Sequence, residues 1–242
     1  MQTDFQYRPE ELENLKRLLS PERLGPYLAL ASDDLRGAVS LYERNTSLSE
    51  TLYGLLQGLE VPLRNAMHQA LAKGLGREDW YDAVPWRPAQ LEQLDNARAG
   101  LLTKAKPVAP GRMVAELTFG FWVGLTGPKY SVDLWERHLF KAFPNARLGR
   151  KQLNKRLEGI RLLRNWVAHH EPILSRDLPR DVDRILETIG WISLDTERWV
   201  RQTNRFPERS QAEGRLKRLV ANFNRCAQLG QIWILKYSET HS

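Results

Sequence analysis

Apolar residues recur along this chain at intervals of three and four, and nowhere do they alternate with polar residues over the length of a half-buried strand. That period commits the chain to helices, so the expected fold class is all-α. The clearest stretch is 149–171, where Leu153, Leu157, Ile160, Leu163 and Val167 form one apolar stripe. Ser20-Pro21 puts a cap residue before a proline at the first helical position, Ser32 precedes another amphipathic stretch, and Ser47-x-x-Glu50 has the form of a capping box. A long helix is predicted from Ser47 to Lys73, kinked or restarted at Pro62 and stopped by Gly74 and Gly76. A loop at 77–88 and helices near 88–103, 112–125, 131–142, 178–203 and 209–236 complete the pattern.

With 242 residues of which 42% are hydrophobic, the chain can bury a real core in one or two closely packed domains. A single cysteine, Cys226, excludes an intramolecular disulfide framework and a multi-cysteine metal site, and no cofactor or metal is expected. The opening MQTDFQYRPE lacks the charged-then-apolar pattern of a signal peptide, and no apolar run reaches spanning length. The expectation is a soluble, cytoplasmic protein with no membrane partner.

The formal net charge of +7 favours an anionic partner, and nucleic acid leads for a cytoplasmic protein. The excess is local. Residues 1–60 carry ten Asp/Glu against six Lys/Arg, whereas residues 145–170 carry seven Lys/Arg against one Glu. Within that basic stretch Arg161, Asn165 and His169 are four apart and share one helix face. Arg164 lies about 140° around the helix from His169, yet its long side chain can swing towards the same mouth. Pro172 disfavours helix at Glu171, so His169 and His170 should occupy the last turn.

Those residue types suit RNA transesterification, in which a 2′-OH attacks the adjacent phosphate and the 5′-oxygen leaves with a proton. The reaction needs a proton-transfer group and a cation on the phosphoryl oxygens. His169 and Arg164 supply them in this reading, and Asn165 hydrogen-bonds the phosphate or orients the imidazole. Lys151, Lys155 and Arg156, two to three turns upstream, would touch flanking phosphates, and Arg161 would bind substrate beside the motif.

The full string Leu163-Arg164-Asn165-Trp166-Val167-Ala168-His169-His170-Glu171-Pro172-Ile173 resembles the LRNxxAHHEPI signature of the Abi-like family, whose members carry the Arg-x4-6-His motif of the HEPN superfamily. Further matches follow in the same order over residues 20 to 200. Leu41-Tyr42-Glu43-Arg44-Asn45 with Ser47 to Tyr53, then Glu60-Val61-Pro62-Leu63-Arg64-Asn65-Ala66, is similar to the family's LYxxN…LS…LY and ExxLRNA segments. Trp80-Tyr81-Asp82 and Leu117-Thr118-Phe119-Gly120-Phe121-Trp122-Val123 also look like family landmarks. The resemblance implies a HEPN-type helical bundle with additional N- and C-terminal helices: a domain over 1–205 and a helical extension, 206–242, packed on it. It also implies a homodimer with two Arg–His sets in one cleft, metal-independent endoribonuclease activity used as a toxin or in abortive phage defence, and an antitoxin RNA or protein. Trp166 departs from the smaller or charged residue frequent at its position in the family.

Glu60, Arg64 and His68 also fall four apart, consistent either with an intrahelical ion pair and a satisfied histidine or with a supporting role at the cleft. Arg64 and Asn65 are the next candidates to bind substrate. His170 shares a side with Trp166 and Val167 and should face the core, Glu171 should pair with a basic neighbour, and Phe119, Phe121 and Trp122 should be core rather than base-stacking. Two other readings stay open: a non-catalytic HEPN module that binds RNA or nucleotide through the same cleft, and a helical scaffold or dimerisation protein.

Overall fold

A computed structural model describes residues 7–204. Helices and short helical turns make up their regular structure, with no strand among the described residues, as the apolar period requires. None of the described helices is long and apolar enough to cross a membrane. The 206–242 extension, the helix expected at 209–236 and Cys226 lie outside the described residues. The described chain divides into two compact units.

The first unit comprises the described residues up to Glu50 together with His170–Pro179. Helix α1 (Pro9–Leu19) passes into α2 (Pro21–Leu30) through Ser20, whose φ of 71° makes the bend and whose side chain caps α2 by accepting the Arg23 N–H. The Ser20-Pro21 signal is therefore realised. Tyr27 is fully buried, edge-on to Tyr42 at 5.4 Å. Ser32 and Asp33 take left-handed conformations instead of opening a helix, and Asp34 caps the next one, its carboxylate accepting the Gly37 N–H at 2.9 Å.

That next helix, α3, runs unbroken from Leu35 to Leu75. Ser47 and Glu50 lie inside it, so the expected capping box is not one. Pro62 does not restart it either. Losing one backbone bond at proline costs about 3 kcal/mol, while Leu52, Leu55, Leu59, Leu63, Met67 and Leu71 are buried along the same helix, each at about 1.5–3 kcal/mol. Burial outweighs the local penalty. The stop is made by Gly76 alone, at φ +70°. Gly74 does something else: a Cβ there would collide with the imidazole of His138.

The second unit holds Thr51–His169 and Arg180–Asn204. After a single turn at Trp80–Asp82 come α4 (Pro88–Thr103), α5 (Pro110–Glu116) and α6 (Phe119–Gly124), short turns over 128–142, α7 (Arg150–Ala168), α8 (Leu178–Ile192, of which 180–192 belong here) and α9 (Leu194–Thr203). The single helices expected at 112–125 and 178–203 are each split, at Thr118 and at Ser193. Both side chains cap the following helix, accepting the N–H of Phe121 and of Thr196. The core centres on Trp80, Trp86, Phe121, Trp122 and Tyr130, with neighbouring ring centroids 5.4–5.9 Å apart. Phe119, Phe121 and Trp122 are buried there, as expected.

Candidate functional site

Helix α7 is anchored by its apolar stripe, since Leu153, Leu157, Ile160, Leu163 and Val167 are all buried. At its start Arg150 donates to the Thr126 carbonyl at 2.8 Å, and Asn154 Nδ2 donates to Thr126 Oγ1 at 2.9 Å. These bonds fix its rotation, which directs Arg164 towards α3. There the Arg164 Nε lies 3.5 Å from Glu60 Oε2. The two helices line a cavity of about 290 Å³ whose polar walls are Tyr53, Gln57, Glu60, Arg64 and Arg164. Arg64 Nε is buried with no hydrogen-bond partner among the described residues. Two guanidiniums against one carboxylate leave a positive balance, and a donor stands without an acceptor. A phosphate oxygen would meet both needs.

Of the residues proposed from sequence, Arg164, Arg64 and Glu60 come together here. Asn165 and His169 do not line this cavity. Arg161 is paired with Glu158 at 2.7 Å, while Lys151 and Lys155 are exposed upstream. Arg156 is bound within the protein, 2.5 Å from Glu187 and 5.1 Å above the ring of Trp191. Only α8 packing beside α7 creates that pair, which no spacing along 145–170 could reveal. Asn65 lies on another face of α3 and lines a different groove. His68 is a half-buried histidine with both ring nitrogens occupied: its Nδ1 accepts from Trp80 Nε1–H at 2.8 Å, and its Nε2 lies 3.1 Å from Glu78.

Helix α7 ends at Ala168, and His169 closes it with a backbone N–H to the Asn165 carbonyl at 2.9 Å. Both His169 and His170 are exposed. The core-facing position expected of His170 is thus corrected: at φ 58° the chain has left the helical path, so helical spacing no longer places the side chain. In the first unit, the His170–Ile173 segment is held by α2 and α3. Arg23 donates to the His170 carbonyl at 2.8 Å and faces the Glu171 carboxylate at 3.7 Å, the basic neighbour expected for Glu171. Buried Asn45 accepts the Ile173 N–H at 2.7 Å and donates to the Glu171 carbonyl at 3.2 Å.

Sequence reasoning assigned no role to Tyr53, Gln57, Asn45 or Arg23. The first two were within reach of it, because 53, 57, 60 and 64 form one helical stripe ending at a residue already singled out. Arg23 and Asn45 act through contacts distant in the chain. No group of three or more His, Cys, Asp or Glu side chains able to hold a metal ion occurs among the described residues. The chain matches no family model, no curated protein and no solved structure.

Proposed function

We propose that the chain is a metal-independent endoribonuclease of the toxin or abortive-infection type, from the Abi-like branch of the HEPN superfamily, with Arg164, Asn165 and His169 as its reacting residues. One observation carries this reading: three separately matched segments of the resemblance converge on one cavity, through Tyr53, through Glu60 and Arg64, and through Arg164. In the reaction the ribose 2′-oxygen bonds to phosphorus and the 5′-oxygen leaves, giving a 2′,3′-cyclic phosphate and a 5′-hydroxyl. Arg164 and Arg64 carry the charge that builds on the phosphoryl oxygens. His169, exposed at the helix end, transfers the proton. A homodimer belongs to the same reading, since Leu162 and Trp166, one turn apart on α7, are 49% and 38% exposed and would be covered by a second copy. RNA is the substrate, the compartment is the cytoplasm, and an antitoxin RNA or protein would hold the activity in check.

Binding without cleavage is the second reading, favoured by the Glu60 carboxylate beside Arg164 and by the position of His169 outside the cavity lining. Labelled RNA incubated in EDTA with wild type, with Arg164→Ala/His169→Ala and with His169→Gln separates the two. Cleavage by wild type to cyclic-phosphate ends, lost in both variants while His169→Gln still binds RNA, is the expected result. Binding with no cleavage by any protein selects the second reading, and cleavage that returns only with added magnesium overturns the metal-independent mechanism.

A further inference from the structure

The other groove on α3 is larger, about 820 Å³, and is built from a different set of stripes. Pro62, Ala66, Ala70 and Gly74 fall four apart and form its floor, running about 18 Å along the helix at 1.5 Å per residue. Asn65, Gln69 and Lys73, again four apart, form one rim. Arg137, His138 and Lys141 face them from the turns before α7. No Asp or Glu lines this groove. Lys73, Arg137 and Lys141 are exposed and have no ion-pair partner among the described residues, in contrast to Arg164 with Glu60. His138 Nδ1 is buried against α3 with no hydrogen-bond partner, at the place where Gly74 makes room for the ring.

Three cations without an ion-pair partner among the described residues, around a groove that no carboxylate lines, give it a positive local field. One phosphate group carries about −1.5 to −2 at neutral pH, so charge balance against three cations calls for at least two. The groove also has no Phe, Tyr or Trp in its wall, its one ring being the His138 imidazole packed against Gly74, while the amides of Asn65 and Gln69 offer donors and acceptors for hydroxyl groups. From this we infer that the groove between α3 and the Arg137–Lys141 turn binds a small, multiply phosphorylated anion, at a site separate from the Arg164 cavity. The inference does not depend on the endoribonuclease reading, because it shares no residue with that cavity.

Titration calorimetry of the full chain with inorganic tripolyphosphate tests it, with orthophosphate as the singly phosphorylated comparison. Tripolyphosphate should bind at one site per chain and more tightly than orthophosphate. Arg137→Ala/Lys141→Ala should weaken it by about tenfold per cation removed, and Lys73→Gln should weaken it by a similar single step. Lys129→Ala, an exposed lysine outside the groove, and Arg164→Ala should leave the affinity unchanged. The inference is overturned if tripolyphosphate does not bind at millimolar concentration, if the double variant binds like wild type, or if Arg164→Ala abolishes binding. It is equally overturned if the double variant loses affinity for a 20-nucleotide RNA while wild type ignores tripolyphosphate, since the groove would then be an RNA path.

Discussion

Asn45 shows how one side chain organises a segment distant in the chain. It is only 3% exposed, and its amide spends both ends on the backbone of Glu171 and Ile173, which follow the two histidines in the chain. Truncation would strand the buried Ile173 N–H, and a stranded donor costs more than a typical hydrogen bond contributes. Asn45→Ala should therefore lower stability by about 2–3 kcal/mol, seen as a drop in the urea midpoint at unchanged slope. A variant with the midpoint of wild type would mean that the segment holds itself. Asparagine at this position was visible in the sequence as part of a matched segment, but its partners were not, because they lie more than a hundred positions away.

At the scale of elements, α3 lines two separate cavities at once. The stripe through Tyr53, Gln57, Glu60 and Arg64 meets α7, and the stripe through Pro62, Ala66, Ala70 and Gly74 floors the basic groove. The sequence assigns Gly74 to stopping the helix. In the structure Gly76 takes the left-handed position that ends it, and Gly74 is required because the His138 ring packs on its backbone. Gly74→Ala should then destabilise by about 1–3 kcal/mol through overpacking, although alanine is the better helix former. The same substitution in a His138→Ala background should cost far less, a coupling that a double-mutant cycle measures directly. Additive effects would show that glycine is there for another reason.

Across the molecule, charge is spread so that many arginines are paired internally while the groove cations are not. This has a consequence for acid stability through His138. Its burial, then Lys141 and Arg137 beside it, push its pKa below the ordinary 6.5. The unfolded chain takes up this proton near 6.5, but the folded protein does so only at lower pH. Unfolding therefore binds a proton in that window, and the stabilising contribution, full above 6.5, is lost as the pH falls through the folded value. Urea unfolding between pH 7.5 and 5 should fall more steeply for wild type than for His138→Gln. Parallel curves would remove this histidine from the acid response.

The sequence by itself determined the helical class, the buried stripe of α7, the end of that helix before Pro172 and the candidacy of Arg64 and Arg164. Each of these is written in spacing over a few neighbouring residues, where helical geometry alone decides which side chains share a face. Tertiary structure decided which of those faces meet. It joined Arg164 to Glu60 and Arg64, withdrew Arg156 to Glu187 and Trp191, turned Asn65 into a second groove and carried α3 through Pro62 and the apparent cap at Ser47. The physical reason is common to all: burial and ion pairing between helices distant in the chain outweigh one lost backbone bond or one local cap, and no local spacing encodes which helix will lie opposite.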